Sequence, residues 1–324
     1  MPNLETLILD HNLITSFSGI QGPKNLKHLS LANNNLNNIG ENTFLTLESL
    51  EHLDIHGNRL KETVSFENLP QLQVLLLSHN QLTAIPNHLS SKLKTLDLGD
   101  NQIEHIPEGS FNDLDDLFAL RLAGNNIAKL NNASFGNIPS LQLLNLASNH
   151  LEAIPQATFV GLQKLRGLRL DDNALTDLNG IVASLGHLQW LNVSANQLEW
   201  FDYAFIPNSL EWLDLSYNQV EELNNFYNLT NFALHTLEAS HNQITMLDES
   251  SLPAKELQVV RLHHNSISKV MPHSLVQLAY LNTMDLRQNQ IRSLSKESLR
   301  KSIQGKDISN FVYLKSTSVK KAGT

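Results

Sequence analysis

Apolar and polar positions along the chain repeat as L-x-x-L-x-L-x-x-N, as in Leu141-Gln-Leu-Leu144-Asn-Leu146-Ala-Ser-Asn149 and Leu165-Arg-Gly-Leu168-Arg-Leu170-Asp-Asp-Asn173. Thirteen registers end in an asparagine: Asn12, Asn34, Asn58, Asn80, Asn101, Asn125, Asn149, Asn173, Asn196, Asn218, Asn242, Asn265 and Asn289. Their spacing stays between 21 and 24 residues, a period that marks stacked supersecondary units rather than a globular core. Inside each unit the L-x-L pair alternates with period two, so the leucines leave a short strand on one side and their neighbours on the other. Stacked strands of this kind make a parallel sheet with its core on the leucine side. The asparagine falls where the chain turns away, and its amide can serve backbone groups that a buried bend would orphan. A second apolar set, with Phe44, Phe111, Phe135 and Phe159 each followed by apolar residues three and six positions on, fills the space behind the sheet. The pattern predicts an α/β chain: a right-handed, horseshoe-like solenoid with a concave parallel β-sheet and a convex side of irregular, 3-10 or short helical segments.

Residues 1–300 read as one array of about thirteen repeats without capping units. The first repeat opens at once with Leu4, Leu7 and Leu9, and the register runs through Leu286, Asn289, Ile291, Leu294 and Leu299 before failing at Lys301. Residues 301–324 carry no repeat and read as a disordered polar tail. A solenoid with open ends exposes core leucines and strand edges, so the chain is expected to be an internal piece of a longer repeat protein. The longest apolar run is four residues, as in Val74-Leu75-Leu76-Leu77, and the N-terminus has neither a basic nor an apolar leader segment. Neither a transmembrane span nor a signal peptide is therefore expected within this chain.

Composition sharpens this picture. Of 324 residues, 61 are Leu and 37 are Asn. With 23 Lys+Arg against 32 Asp+Glu the net charge is -9, which argues against nucleic acid as a partner at neutral pH. Cysteine is absent, which removes disulfides, thiolate metal sites and cysteine nucleophiles. There is no P-loop, Gly-x-Ser-x-Gly, His-Glu-x-x-His or dinucleotide fingerprint. No catalytic residue, no cofactor and no enzymatic activity are expected.

Units of this length, with phenylalanine at the rear and N-x-L after the strand, are identified as leucine-rich repeats of the class found in extracellular animal proteins. Asn208-Ser-Leu-Glu-Trp-Leu-Asp-Leu-Ser-Tyr-Asn218, Leu234-His-Thr-Leu-Glu-Ala-Ser-His-Asn242 and Leu257-Gln-Val-Val-Arg-Leu-His-His-Asn265 resemble the membrane-distal arrays of insect Toll receptors. The resemblance implies a receptor ectodomain on the extracellular face of the plasma membrane, part of a longer protein that reaches the membrane through segments absent from this chain. It implies recognition of a protein ligand of the cystine-knot cytokine class, or of another leucine-rich repeat receptor chain. The alternative reading is an extracellular adhesion protein of the same repeat class that mediates cell-cell contact.

Trp190 and Trp212 both precede the second leucine of their units in adjacent repeats, so they should be neighbours on the open side of the sheet. Tryptophans placed there suit a binding hot spot; the other reading is that they shield each other beneath a glycan. Asp214, Glu238 and Arg261 occupy the outward position inside L-x-L in successive units and complete the candidate binding face; because the signs along that column are mixed, the other reading is a solvated face. Three N-x-S/T sequons offer glycosylation sites at Asn132, Asn192 and Asn228, the first and last in outer loops and Asn192 on the open face. Of fourteen histidines several, among them His28, His52, His56, His79, His241, His263 and His264, fall on outward strand or turn positions, and protonating all fourteen would carry the net charge from -9 to +5. His28 and His52 share a column, but nothing completes a ligand set, so no metal site is expected.

Overall fold

The computed structural model describes residues 3–17, 24–40, 42–62, 65–136, 138–275, 277–294 and 312–313. The chain forms two compact units, Met1–Arg169 and Leu170–Thr324, and each is a parallel-sheet solenoid. In the first unit every coil contributes one three-residue strand: β1 (Thr6–Ile8), β2 (His28–Ser30), β3 (His52–Asp54), β4 (Val74–Leu76), β5 (Thr95–Asp97), β6 (Ala119–Arg121), β7 (Leu143–Asn145) and β8 (Gly167–Arg169). Consecutive strands pair in parallel with leucine against leucine, as in Leu29↔Leu53 and Leu96↔Leu120. The inward residues of β2 to β8 are no more than 2 % exposed. Each buried leucine contributes about 1.5–3 kcal/mol of apolar burial.

The second unit continues the plan with β9 (Trp190–Asn192), β11 (Trp212–Asp214), β13 (Thr236–Glu238), β15 (Val259–Arg261) and β17 (Thr283–Asp285). Two further parallel pairs lie outside that ladder: β10 (Phe201–Asp202) with β12 (Leu223–Asn224), and β14 (Met246–Leu247) with β16 (Lys269–Val270). A 3-10 segment, Tyr203–Phe205, is capped by Asp202, whose buried carboxylate accepts from the Ala204 N–H at 2.7 Å and the Phe226 N–H at 3.1 Å. Tyr203 is fully buried and donates from its hydroxyl to the Ser251 carbonyl at 3.0 Å. Among the described residues the backs of the coils contain turns, these short pairs and the 3-10 segment, and no α-helix. No helix there is long and apolar enough to cross a membrane. Of the expected tail, only β18 (Val312–Tyr313) is described, and it pairs in parallel with β17; the rest of 301–324 lies outside the described residues.

The rear phenylalanines form spines. Phe135 stacks on Phe111 at 6.3 Å and on Phe159 at 5.8 Å between ring centroids, and Phe44 stacks on Phe66 at 6.1 Å. All are almost fully buried.

The asparagines interlock the coils. Asn125 is typical: its Nδ2 donates to the Leu122 carbonyl at 3.0 Å and the Ala123 carbonyl at 3.3 Å in its own coil, and to Leu98 in the preceding coil at 3.0 Å. Its Oδ1 accepts the Ile103 N–H at 3.0 Å. The Leu122 carbonyl in turn receives Asn149 at 3.0 Å, so each rung is tied to the next. Asn34, Asn58, Asn80, Asn101, Asn149, Asn196, Asn218, Asn242 and Asn265 are likewise buried and bonded within and across coils. Asn173 and Asn289 are half-buried and also bond their own turn carbonyls, while Asn12, in the first coil, is exposed.

The residue just before each ladder asparagine adopts a left-handed backbone, from His11 (φ 54) and Asn33 (φ 54) through Tyr217 (φ 57), His241 (φ 55) and His264 (φ 55) to Gln288 (φ 56). Glycine serves at Gly57 and Gly124, where an added Cβ would lie 2.4 Å from the Asn33 Oδ1 and 2.3 Å from the Asp100 Oδ1. Gly124→Ala should therefore cost about 1–2 kcal/mol through left-handed strain plus that close approach. A urea unfolding curve measures it, and an unchanged midpoint would show that neither restraint operates.

Candidate ligand-binding face

The face is built in the second unit from the outward residues of β9, β11, β13, β15 and β17. Parallel pairing sets Trp190 beside Trp212, then Thr236, Val259 and Thr283 along one row, and Asn192, Asp214, Glu238, Arg261 and Asp285 along the next. The two indoles stack, with ring centroids 4.8 Å apart and planes 12° from parallel, and both are half-buried. The two rings thus share one face each and leave part of their surface exposed on the open side of the sheet.

The polar row beside it has two kinds of member. Asn192, Asp214 and Asp285 turn their side chains back on the chain and accept the N–H two residues on, from Ser194 at 3.0 Å, Ser216 at 2.8 Å and Arg287 at 3.1 Å. Asp54, Asp97 and Asn145 do the same in the first unit. These groups cap the exit from the strand, so Asp214, expected as a ligand contact, is already committed by one oxygen to the turn. Glu238 and Arg261 cannot make that cap and are ion-paired with each other instead. Burial pushes the Glu238 carboxyl above its ordinary range, Arg261 pulls the other way, and Asp214 and Asp285 add to the rise. At Asp285 burial also works upward, but the hydrogen bonds and charge of Arg287 outweigh it and hold the carboxyl below its ordinary value. Arg287 binds that carboxylate through Nε at 2.9 Å and 3.0 Å and through its terminal nitrogen at 2.5 Å. The row thus carries two ion-paired carboxylates, Glu238 and Asp285, and a third, Asp214, held by its own turn, beside the stacked indoles.

Of the sequons, Asn132 and Asn228 are exposed on turns, whereas Asn192 is half-buried on the sheet face, on the same strand as Trp190. Its Oδ1 is engaged by Ser194, so Nδ2 is the atom left for a glycan.

In the first unit His28 and His52 pair across strands with rings 5.7 Å apart. Burial lowers the His52 pKa below its ordinary 6.5, Asp54 raises it and His28 lowers it further. A depressed histidine binds its proton later in the folded state than in the unfolded one. Stability from this group is therefore full above 6.5 and falls as pH drops from there to the folded value. In an NMR titration the His52 imidazole should change below pH 6.5; His28→Gln should move its midpoint up and Asp54→Asn down. The opposite pair of shifts would refute the assignment.

Two constellations lie outside the sequence expectations. Trp200 (42 % exposed) packs edge-on to Phe205 at 5.1 Å and stacks on Phe226 at 6.2 Å, beside the exposed Tyr227. Tyr217, His241, His263 and His264 gather at the turns that follow β11, β13 and β15. The signal for the second was present as aromatic or imidazole residues at the position before the ladder asparagine in adjacent repeats.

The family profile described as Leucine rich repeat matches residues 2–60, 91–151, 143–198, 228–291 and 255–302, and a second of the same description matches 71–91. The chain belongs to the leucine rich repeat family. Toll-like receptor 7 of Drosophila melanogaster is 49 % identical over 223 residues, which are 68 % of this chain and 15 % of that receptor. This leucine-rich repeat chain therefore spans a small part of the length of that relative. Among solved structures, a Leptospira interrogans leucine-rich repeat protein aligns with a TM-score of 0.69 and 26 % identity over 92 % of this chain and 81 % of its own. The Drosophila Toll–Spatzle complex aligns with a TM-score of 0.64 and 21 % identity over 83 % of this chain and 40 % of the matched one, a likeness of fold.

Proposed function

We propose that this leucine-rich repeat chain recognises a protein ligand as part of the ectodomain of a Toll-type cell-surface receptor, on the extracellular face of the plasma membrane. The observation that carries the reading is the stacked Trp190–Trp212 platform, half-exposed on the sheet face and bordered by Asp214 and the Glu238–Arg261 pair. A partly exposed aromatic pair bordered by an ion pair and by a carboxylate held on its own turn is the composition of an interface hot spot, where apolar area is gained at little cost in stranded charge. The ligand class we infer is a cystine-knot cytokine, supported by the 49 % identity to Toll-like receptor 7 and by the solenoid shared with the Toll–Spatzle complex. A repeat solenoid is a protein-interaction scaffold, and no enzymatic role is proposed.

Immobilising the chain and titrating a cystine-knot cytokine of the Spatzle kind tests the reading. Saturable binding at micromolar or lower concentration is expected. If the cytokine fails to bind while sedimentation shows the chain associating with itself, the adhesion reading replaces it.

A further inference from the structure

We propose that His241, His263 and His264 bind one divalent transition-metal ion of the zinc, nickel or copper class. One ligand nitrogen from each of the three imidazoles lies within 4.8 Å of the other two. A tetrahedral ion with metal–nitrogen bonds near 2.0–2.1 Å needs about 3.3 Å between ligand atoms, so closure asks only side-chain rotation of partly exposed rings. The His263 Nδ1 and His264 Nδ1 are already 2.8 Å apart. The His241 ring lies parallel to that of His264 at 4.3 Å and edge-on to His263 at 5.4 Å.

The backbone beneath is held by the solenoid. The His241 N–H donates to the His263 carbonyl at 3.0 Å and the His264 N–H to Arg287 at 3.0 Å, so the two turns cannot drift apart without breaking the coil. Tyr217 stacks on the His241 ring at 4.2 Å between centroids. The neighbouring charges are Asp285 and Arg287, and they neutralise each other in the forked pair. Burial, then repulsion from His264, lowers the His241 pKa; at His263 burial lowers it, Asp285 opposes, and His264, His241 and Arg287 add to the lowering, which favours the neutral form that a metal requires. An all-imidazole set selects borderline transition metals over calcium and magnesium, which want oxygen. The cluster is distinct from the Trp190–Trp212 face and stands or falls without it.

The test is calorimetric titration of the chelator-treated full chain with Zn2+ and Ni2+ at pH 7.4, with a parallel melting curve. One equivalent should bind and raise the melting temperature, and binding should fall away at pH 5.5. His241→Asn and His264→Asn, chosen because asparagine tolerates their left-handed φ, and His263→Ala should each weaken binding at least about tenfold. The paired control His28→Gln with His52→Gln should bind as the parent does. Absence of heat and of a thermal shift up to millimolar metal overturns the proposal, as does parental affinity in a folded His241→Asn, His263→Ala variant.

Discussion

Asn125→Ala should lower unfolding stability by about 2–4 kcal/mol, whereas Asn12→Ala should change it by less than about 0.5 kcal/mol. The asymmetry follows from position in the ladder. Asn125 is 3 % exposed and makes four bonds, three from Nδ2 and one into Oδ1. Truncation leaves the Ile103 N–H without its acceptor in a buried coil. The Leu98 and Leu122 carbonyls each fall back on a single ladder partner, Asn101 and Asn149. Among the described residues Asn12 bonds its own Leu9 and Asp10 carbonyls, and it is exposed, so water replaces what is removed. Asn125→Asp separates donor from acceptor roles. The carboxylate keeps the Ile103 N–H but points at three carbonyl oxygens, so the variant should be at least as unstable as the alanine at pH 7. It should recover as acid protonates the group and restores a donor, because its folded pKa is raised above the unfolded one. Chemical denaturation of the four proteins at pH 7 and pH 4 measures this; equal losses at Asn12 and Asn125 would refute the ladder account.

Period and alternation made the solenoid legible, because each strand leucine and each ladder asparagine repeats at fixed spacing and answers one physical need. The pairing of Trp190 with Trp212 followed from the same register, since residues at equal offsets in adjacent parallel strands must be neighbours. What the repeat consensus hides is what departs from it. The β10–β12 and β14–β16 pairs arise where Phe201-Asp202 and Met246-Leu247 extend the turn after the ladder asparagine, a local choice with no counterpart among the described residues of the first unit. The strand-exit caps are readable as Asp or Asn four residues before the ladder asparagine, as in Asp214 and Asn218, but an outward charge in sequence suits a solvated face or a contact surface equally well. In the fold Asp214 is half spent on its own backbone. The Glu238–Arg261 pairing depends on side-chain reach between coils, which spacing alone does not decide. The histidine cluster needed two turns in adjacent coils to be superimposed before its chemistry was visible.

Replacing Trp190 and Trp212 together by alanine should weaken cytokine binding by about 30-fold or more, the loss of roughly 2 kcal/mol expected at a central aromatic hot spot. The cost to folding is their mutual stack, about 0.5–1.5 kcal/mol beyond area burial, together with the buried half of each ring, which the melting curves measure separately from affinity. Glu238→Gln should act differently: it strands Arg261 without removing apolar area, so its effect should appear mainly in the salt dependence of association. The glycan question separates in the same experiment. If a sugar on Asn192 shields the indoles instead of a ligand using them, Asn192→Gln produced in a glycosylating host should expose them, and the double tryptophan change should leave affinity untouched.

The most direct measurement is surface plasmon resonance of the immobilised parent chain and its Trp190→Ala, Trp212→Ala variant against the same cystine-knot cytokine, with melting curves alongside to verify folding. Saturable binding to the parent and a loss of about 30-fold or more in the folded variant is the predicted result. Equal affinity for the two chains, or no binding to the parent, would contradict the assignment of this face to ligand recognition.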